Sequence, residues 1–114
     1  MLDFEKKSSG EVVIEKVNLL RATTVEASIM KKRLFDNIHL SKKKIIVDIS
    51  RCDFVDSSFL GALVISLKRT RETGGDIKIV TGSSVVKETL HITGFLRVFE
   101  NYSSVEDALK SFRS

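Results

Sequence analysis

The residues best suited to chemistry lie in one short stretch, Ser50-Arg51-Cys52-Asp53-Phe54-Val55-Asp56-Ser57-Ser58-Phe59-Leu60-Gly61. Asp56 or Ser57 can cap a helix that starts here, because a short side-chain oxygen accepts from the unpaired N–H groups of a first turn. With Asp56 as the cap, Ser58 becomes the second helical residue. Its hydroxyl then sits beside orphan N–H groups and the positive end of the helix dipole. That position suits a phosphate, and a phosphoserine there need not unfold the helix. Capping alone also accounts for Asp56, Ser57 and Ser58, so by themselves these residues leave both readings open.

The helix that follows adds a second consideration. At about 100° per residue, Leu60, Leu63, Val64 and Leu67 share one face, the expected core face. Ser58, Ala62, Ile65 and Arg69 fall on roughly the opposite face. Small and apolar atoms left exposed there would form a modest surface for docking another protein. The expected surface comprises Asp56, Ser57, Ser58, Ala62 and Ile65, with Phe59 at its edge. A phosphate on Ser58 would bring about two negative charges into it.

Other chemistry finds little support. There is no Gly-x-Ser-x-Gly elbow, no phosphate-cradling glycine loop and no His-Glu-x-x-His pair. His39 and His91 fall at expected helix ends, where surface or capping roles suffice. Cys52 is the only cysteine, so it cannot close an internal disulfide, and it reads as a small buried hydrophobe in a reducing compartment. A receiver-type phosphoaspartate site is disfavoured: Asp48, Asp53 and Asp56 surround the end of a strand, but no paired acids occur near Val17. The chain is therefore expected to be no enzyme, with no catalytic residue, cofactor or metal.

The totals agree with a binding role. At 114 residues, one domain spanning 1–114 is expected, and 42% apolar with 30% charged residues is a globular balance. No apolar run approaches the ~18 residues of a membrane span, and no secretory leader follows Met1, so no membrane association and a cytoplasmic location are expected. The net charge of +4 gathers in Lys31-Lys32-Arg33, Lys42-Lys43-Lys44 and Lys68-Arg69-Thr70-Arg71. None of these runs contains an aromatic residue for base stacking, so nucleic-acid binding is not expected.

These residues must be positioned by alternating strands and helices. Leu2–Lys7 and the β-branched Glu11–Val17 read as a hairpin about Ser8-Ser9-Gly10. Thr23 and Glu26 make a capping box for a helix to about Asn37, and Ile45–Ile49 reads as a buried central strand. A helix over Ser57–Thr73 ends at Gly74-Gly75, and Asp76–Thr81 is a further strand. Gly82-Ser83 opens a short helix to Ile92, Leu96–Phe99 reads as a short strand, and Ser103 with Glu106 caps a last helix through Phe112. An extra strand is possible near Leu19–Leu20. The order β-β-α-β-α-β-α-β-α implies an α/β fold, a mixed but largely parallel sheet with about four helices. Val12, Ile14, Ile46, Val47, Leu60, Leu63, Leu67, Ile79 and Leu90 are its expected core.

The run Ile45-Ile46-Val47-Asp48-Ile49-Ser50, then Phe54-Val55-Asp56-Ser57-Ser58 and Leu60-Gly61, resembles the signature of STAS domains, in particular the bacterial anti-sigma factor antagonists. Gly74-Gly75-Asp76-Ile77-Lys78-Ile79-Val80 and the pattern from Val85 to Phe95 continue the likeness. The resemblance implies a phosphorylatable serine at Ser58 and a switch that sequesters an anti-sigma factor when unphosphorylated, freeing a sigma factor. It also implies an ATP-dependent serine kinase, commonly the anti-sigma factor itself, and a separate phosphatase as partners. A STAS scaffold or sensor subunit of a larger signalling assembly is the alternative within the same family. Two departures stand out. Phe59 replaces a glycine usual in close relatives, and Arg21 occupies a position, in Asn18-Leu19-Leu20-Arg21, that is acidic in many members.

Overall fold

A computed structural model describes residues 2–113. The N-terminal hairpin pairs β1 (Phe4–Ser9) antiparallel with β2 (Val12–Val17), placing Ser9 opposite Val12. Only Gly10 and Glu11 remain in the loop. Gly10 has φ +59°, at the first loop position, where a type II′ turn favours glycine.

Next come β3 (Arg21–Ala22), α1 (Thr24–His39), β4 (Lys44–Asp48), β5 (Phe54–Val55), α2 (Ser57–Glu72) and β6 (Asp76–Val80). The chain ends with α3 (Ser84–Ile92), a 3₁₀ turn (Phe95–Arg97), β7 (Asn101–Tyr102) and α4 (Val105–Arg113). The main sheet has the order β1-β2-β4-β6-β7, and every pairing except β1 with β2 is parallel. The fold is thus the expected α/β architecture: a mixed, mostly parallel sheet with four helices.

The sheet has two unequal faces, because strand side chains alternate. Val17, Ile45, Val47, Ile77 and Ile79 face α1, α2 and α3 and join Met30, Leu34, Leu63, Leu67 and Leu90 in the larger core. Val12, Ile14, Ile46 and Val80 face the other way, toward Ala108 of α4. All nine expected core residues are buried. Cys52 is buried too, and its desolvation pushes the thiol pKa up to about 12.

Four local expectations are corrected. Leu96–Phe99 is not a strand. Gly94 (φ +74°) turns the chain into a 3₁₀ turn that stacks the rings of Phe95 and Phe99 at 4.3 Å, and the strand follows at Asn101. An extended segment would hold those rings about 13 Å apart. The last helix is capped by Ser104, not Ser103, because the Asp107 N–H donates to Ser104 Oγ at 3.1 Å. The extra strand lies at Arg21–Ala22, just past Leu19–Leu20, and its partner strand Phe54–Val55 falls within what reads as a loop.

Candidate functional site

The site is built by a second, two-stranded sheet. β3 and β5 pair in parallel, Arg21 with Phe54 and Ala22 with Val55. The Asp53 N–H donates to the Leu20 carbonyl at 2.8 Å and the Asp56 N–H to the Ala22 carbonyl at 3.2 Å. The Arg21 guanidinium lies 4.2 Å from the Phe54 ring centroid, a cation–π contact across the pair. Each strand leads within two residues into a helix. Two parallel strands side by side therefore start α1 and α2 side by side.

Asp56 is the N-cap of α2. Its Oδ1 accepts from the Phe59 N–H at 3.0 Å and from the Ser58 hydroxyl at 2.7 Å. These donors, Ser58 first, hold the Asp56 carboxyl below its ordinary value. On α1, Glu26 Oε1 accepts from the Thr23 N–H at 2.8 Å and the Thr23 hydroxyl at 3.1 Å. The Thr23 N–H is the main cause of a lowered Glu26 pKa, which the nearby Asp56 charge partly opposes. Ser58 is exposed, and its Oγ lies 3.2 Å from Thr24 Oγ1 of α1.

Ser57 and Ser58 open onto different grooves. Ser58 heads a groove of about 320 Å³ between α1 and α2, with Thr24, Ser28, Lys31, Ala62 and Ile65 along it. Ser57 heads one of about 280 Å³ on the other side of α2, lined by Leu60, Val64, Thr93, Phe95 and Val98. Gly61 borders both.

The residues expected to form a docking surface differ in exposure. Asp56, Ser57, Ser58 and Ile65 are accessible, Ile65 at 48%. Phe59 is not at an edge: it is fully buried in the larger core. It therefore does not crowd the Ser58 hydroxyl. Ala62 retains only 7% exposure and forms groove floor rather than free surface. The cause is α1, which packs along α2 and gives that helix a second buried side. Ser66 and Thr70 sit on that side and satisfy their hydroxyls within the helix, on the Ala62 and Ser66 carbonyls. Thr24 escapes sequence reasoning altogether. Its relevance depends on a contact between residues 34 apart, for which no local pattern exists.

Among the described residues no cluster of three or more His, Cys, Asp or Glu could hold a metal ion. No helix among them is long and apolar enough to cross a membrane.

Comparison with known proteins gives a consistent result. The STAS domain family matches residues 7–108. A proposed anti-sigma factor antagonist of Thermotoga neapolitana is 31% identical over 85 residues, covering 74% of this chain and 75% of the relative. The proposed anti-sigma factor antagonist BtrV of Bordetella bronchiseptica is 24% identical over 98 residues, covering 86% and 80%. The crystal structure of a proposed anti-sigma factor antagonist from Thermotoga maritima superposes with a TM-score of 0.88, at 27% identity, over 97% of this chain and 95% of that one.

Proposed function

The chain belongs to the STAS domain family, and from that premise we propose that it is an anti-sigma factor antagonist whose binding is switched by phosphorylation of Ser58. In this reading residues 1–114 form one cytoplasmic domain that carries out no chemistry of its own. Unphosphorylated, it sequesters an anti-sigma factor and so frees a sigma factor. An ATP-dependent serine kinase turns the switch off and a phosphatase resets it.

The observation that carries the reading is the placement of Ser58. Its hydroxyl is exposed, lies in the first turn of α2, and heads a groove flanked by a second helix. A partner seated along Asp56, Ser57, Ser58 and Ile65 meets a neutral hydroxyl before modification and a doubly charged group after it. Lys31 along the same groove offsets only part of that charge, and burying the rest under a partner is costly, so the contact weakens. The helix persists, since its N-terminus favours negative charge.

Incubation with ATP and the anti-sigma serine kinase, followed by peptide mapping, tests the acceptor. Phosphate on Ser58 with Ser57 unmodified is expected. Phosphate on Ser57, Ser83 or Ser103 overturns the assignment, and no incorporation favours the scaffold or sensor role within the same family.

A further inference from the structure

Two helices begin beside the Ser58 hydroxyl, and only one of them carries it. Thr24 is the first residue of α1 and exposed, and its Oγ1 lies 3.2 Å from Ser58 Oγ, which is itself 2.7 Å from Asp56 Oδ1. Simple chemistry assigns the protons along this chain. The Asp56 carboxylate, ionised at neutral pH, can only accept, so Ser58 donates its single proton to it. Ser58 Oγ has two lone pairs, and one of them accepts from the Thr24 hydroxyl. With the proton and one lone pair engaged, a single lone pair remains for an incoming phosphoryl group.

We infer that Thr24 is the positioning residue of the Ser58 switch, aiming the Ser58 oxygen before modification and donating a hydrogen bond to the phosphate after it. This rests on Ser58 as the phosphoacceptor. In the transfer, Ser58 Oγ bonds to the terminal phosphorus of a nucleoside triphosphate held by the kinase. The bond from that phosphorus to its bridging oxygen breaks, the nucleoside diphosphate leaves with the electron pair, and the Ser58 proton passes to a base of the kinase. Phosphoserine as the dianion has acceptors only, so the bond to Asp56 is lost and two negative groups face each other. Thr24 keeps its proton and remains a donor. Asp56 on α2 and Glu26 on α1 raise the second pKa of the phosphate, while Lys31 in the same groove and the two helix N-termini lower it. The Thr24 hydroxyl adds to the lowering side.

The test uses the full chain with phosphoserine installed at position 58 during synthesis, so that the readout depends on no kinase. Phosphorus NMR follows the second ionisation, which lies near pH 6 in free phosphoserine. Thr24→Val keeps the shape and removes the hydroxyl, and Thr24→Ser keeps the hydroxyl. Thr24→Val is expected to raise the phosphate pKa by about half a unit, with Thr24→Ser returning most of the shift and circular dichroism unchanged. Coincident titrations of the parent and Thr24→Val overturn the inference, as does a Thr24→Ser curve that follows Thr24→Val. In a second arm, ATP and the serine kinase act on the unmodified chains. Thr24→Val is expected to lower kcat several-fold with KM unchanged, and an unchanged kcat overturns the aiming role. If the parent chain itself is not modified, the acceptor assignment fails, while the titration still decides the role of Thr24.

Discussion

Glu15 and Asp56 are both carboxylates with two close donors, yet they serve opposite ends. Glu15 lies in the middle of β2 with its side chain fully buried. It accepts from Arg33 Nε and Asn37 Nδ2, each at 2.8 Å, and Lys6 Nζ stands 3.9 Å away. That network ties β1, β2 and α1 together, with Glu15 at the floor of a pocket lined by Lys6, Arg33 and Asp36, so losing a donor loosens three elements at once. Asp56 sits at a helix start, its donors being the Ser58 hydroxyl and the Phe59 N–H. Water can replace the Ser58 hydroxyl there, so that bond can break without disturbing the core. The interior carboxylate holds the fold, and the accessible one is free to change partners, which is what a switch requires.

Breaking the interior network should have the largest effect. Arg33→Ala leaves the Glu15 charge buried with an incomplete set of donors. Removing one partner of a buried pair costs about 3–5 kcal/mol. Because Arg33 is partly exposed, a loss of about 2–3 kcal/mol in urea unfolding is expected. Asp56→Ala should cost about 1 kcal/mol, the usual value of an N-cap, and acid should mimic it. Asp56 and Glu26 both have lowered pKa values in the folded chain. Their contributions are fully present above the ordinary values of 3.8 and 4.5 and drain away as pH falls through the lower folded values. A thermal midpoint that falls with acid in the parent, and falls less steeply in Asp56→Ala, checks this.

Gly61→Ala should act in the other direction. A Cβ there meets nothing within 4 Å, so helix propensity alone operates and up to about 1 kcal/mol is gained. A loss of stability would show that the open border between the two grooves is needed by the fold. Ser58→Ala should change stability least, by under about 0.5 kcal/mol, because Asp56 keeps its bond from the Phe59 N–H. A larger loss would show that the Ser58 hydroxyl, like the donors of Glu15, is needed by the fold, against the proposed switch role.

The sequence reveals elements where periodicity is strong and long. The β-branched run at Glu11–Val17, the apolar strand around Ile45–Ile49 and the Leu60-Leu63-Leu67 spacing all lie as read. Two-residue strands carry no period, so β5 leaves no mark in the sequence and β3 only an approximate one. Yet their pairing is what brings Thr24 to Ser58. The helical wheel of α2 identifies one buried face and misses the second, because a wheel has no knowledge of α1. Ala62, which lies against α1, is missed for that reason, whereas Phe59, one turn before Leu63, flanks the core face and is buried with it. The capping role of Asp56 and the position of Ser58 in the first turn were legible because both are local chemistry.

In the proposed switch, phosphate on Ser58 weakens partner binding by charge and desolvation while the fold stays intact. Titration calorimetry of the unmodified and Ser58-phosphorylated chains against the anti-sigma factor, with circular dichroism alongside, tests it most directly. Markedly weaker binding of the phosphorylated chain with an unchanged helix signal is expected. Equal affinities would contradict the switch, and weaker binding accompanied by loss of helix signal would contradict this mechanism for it.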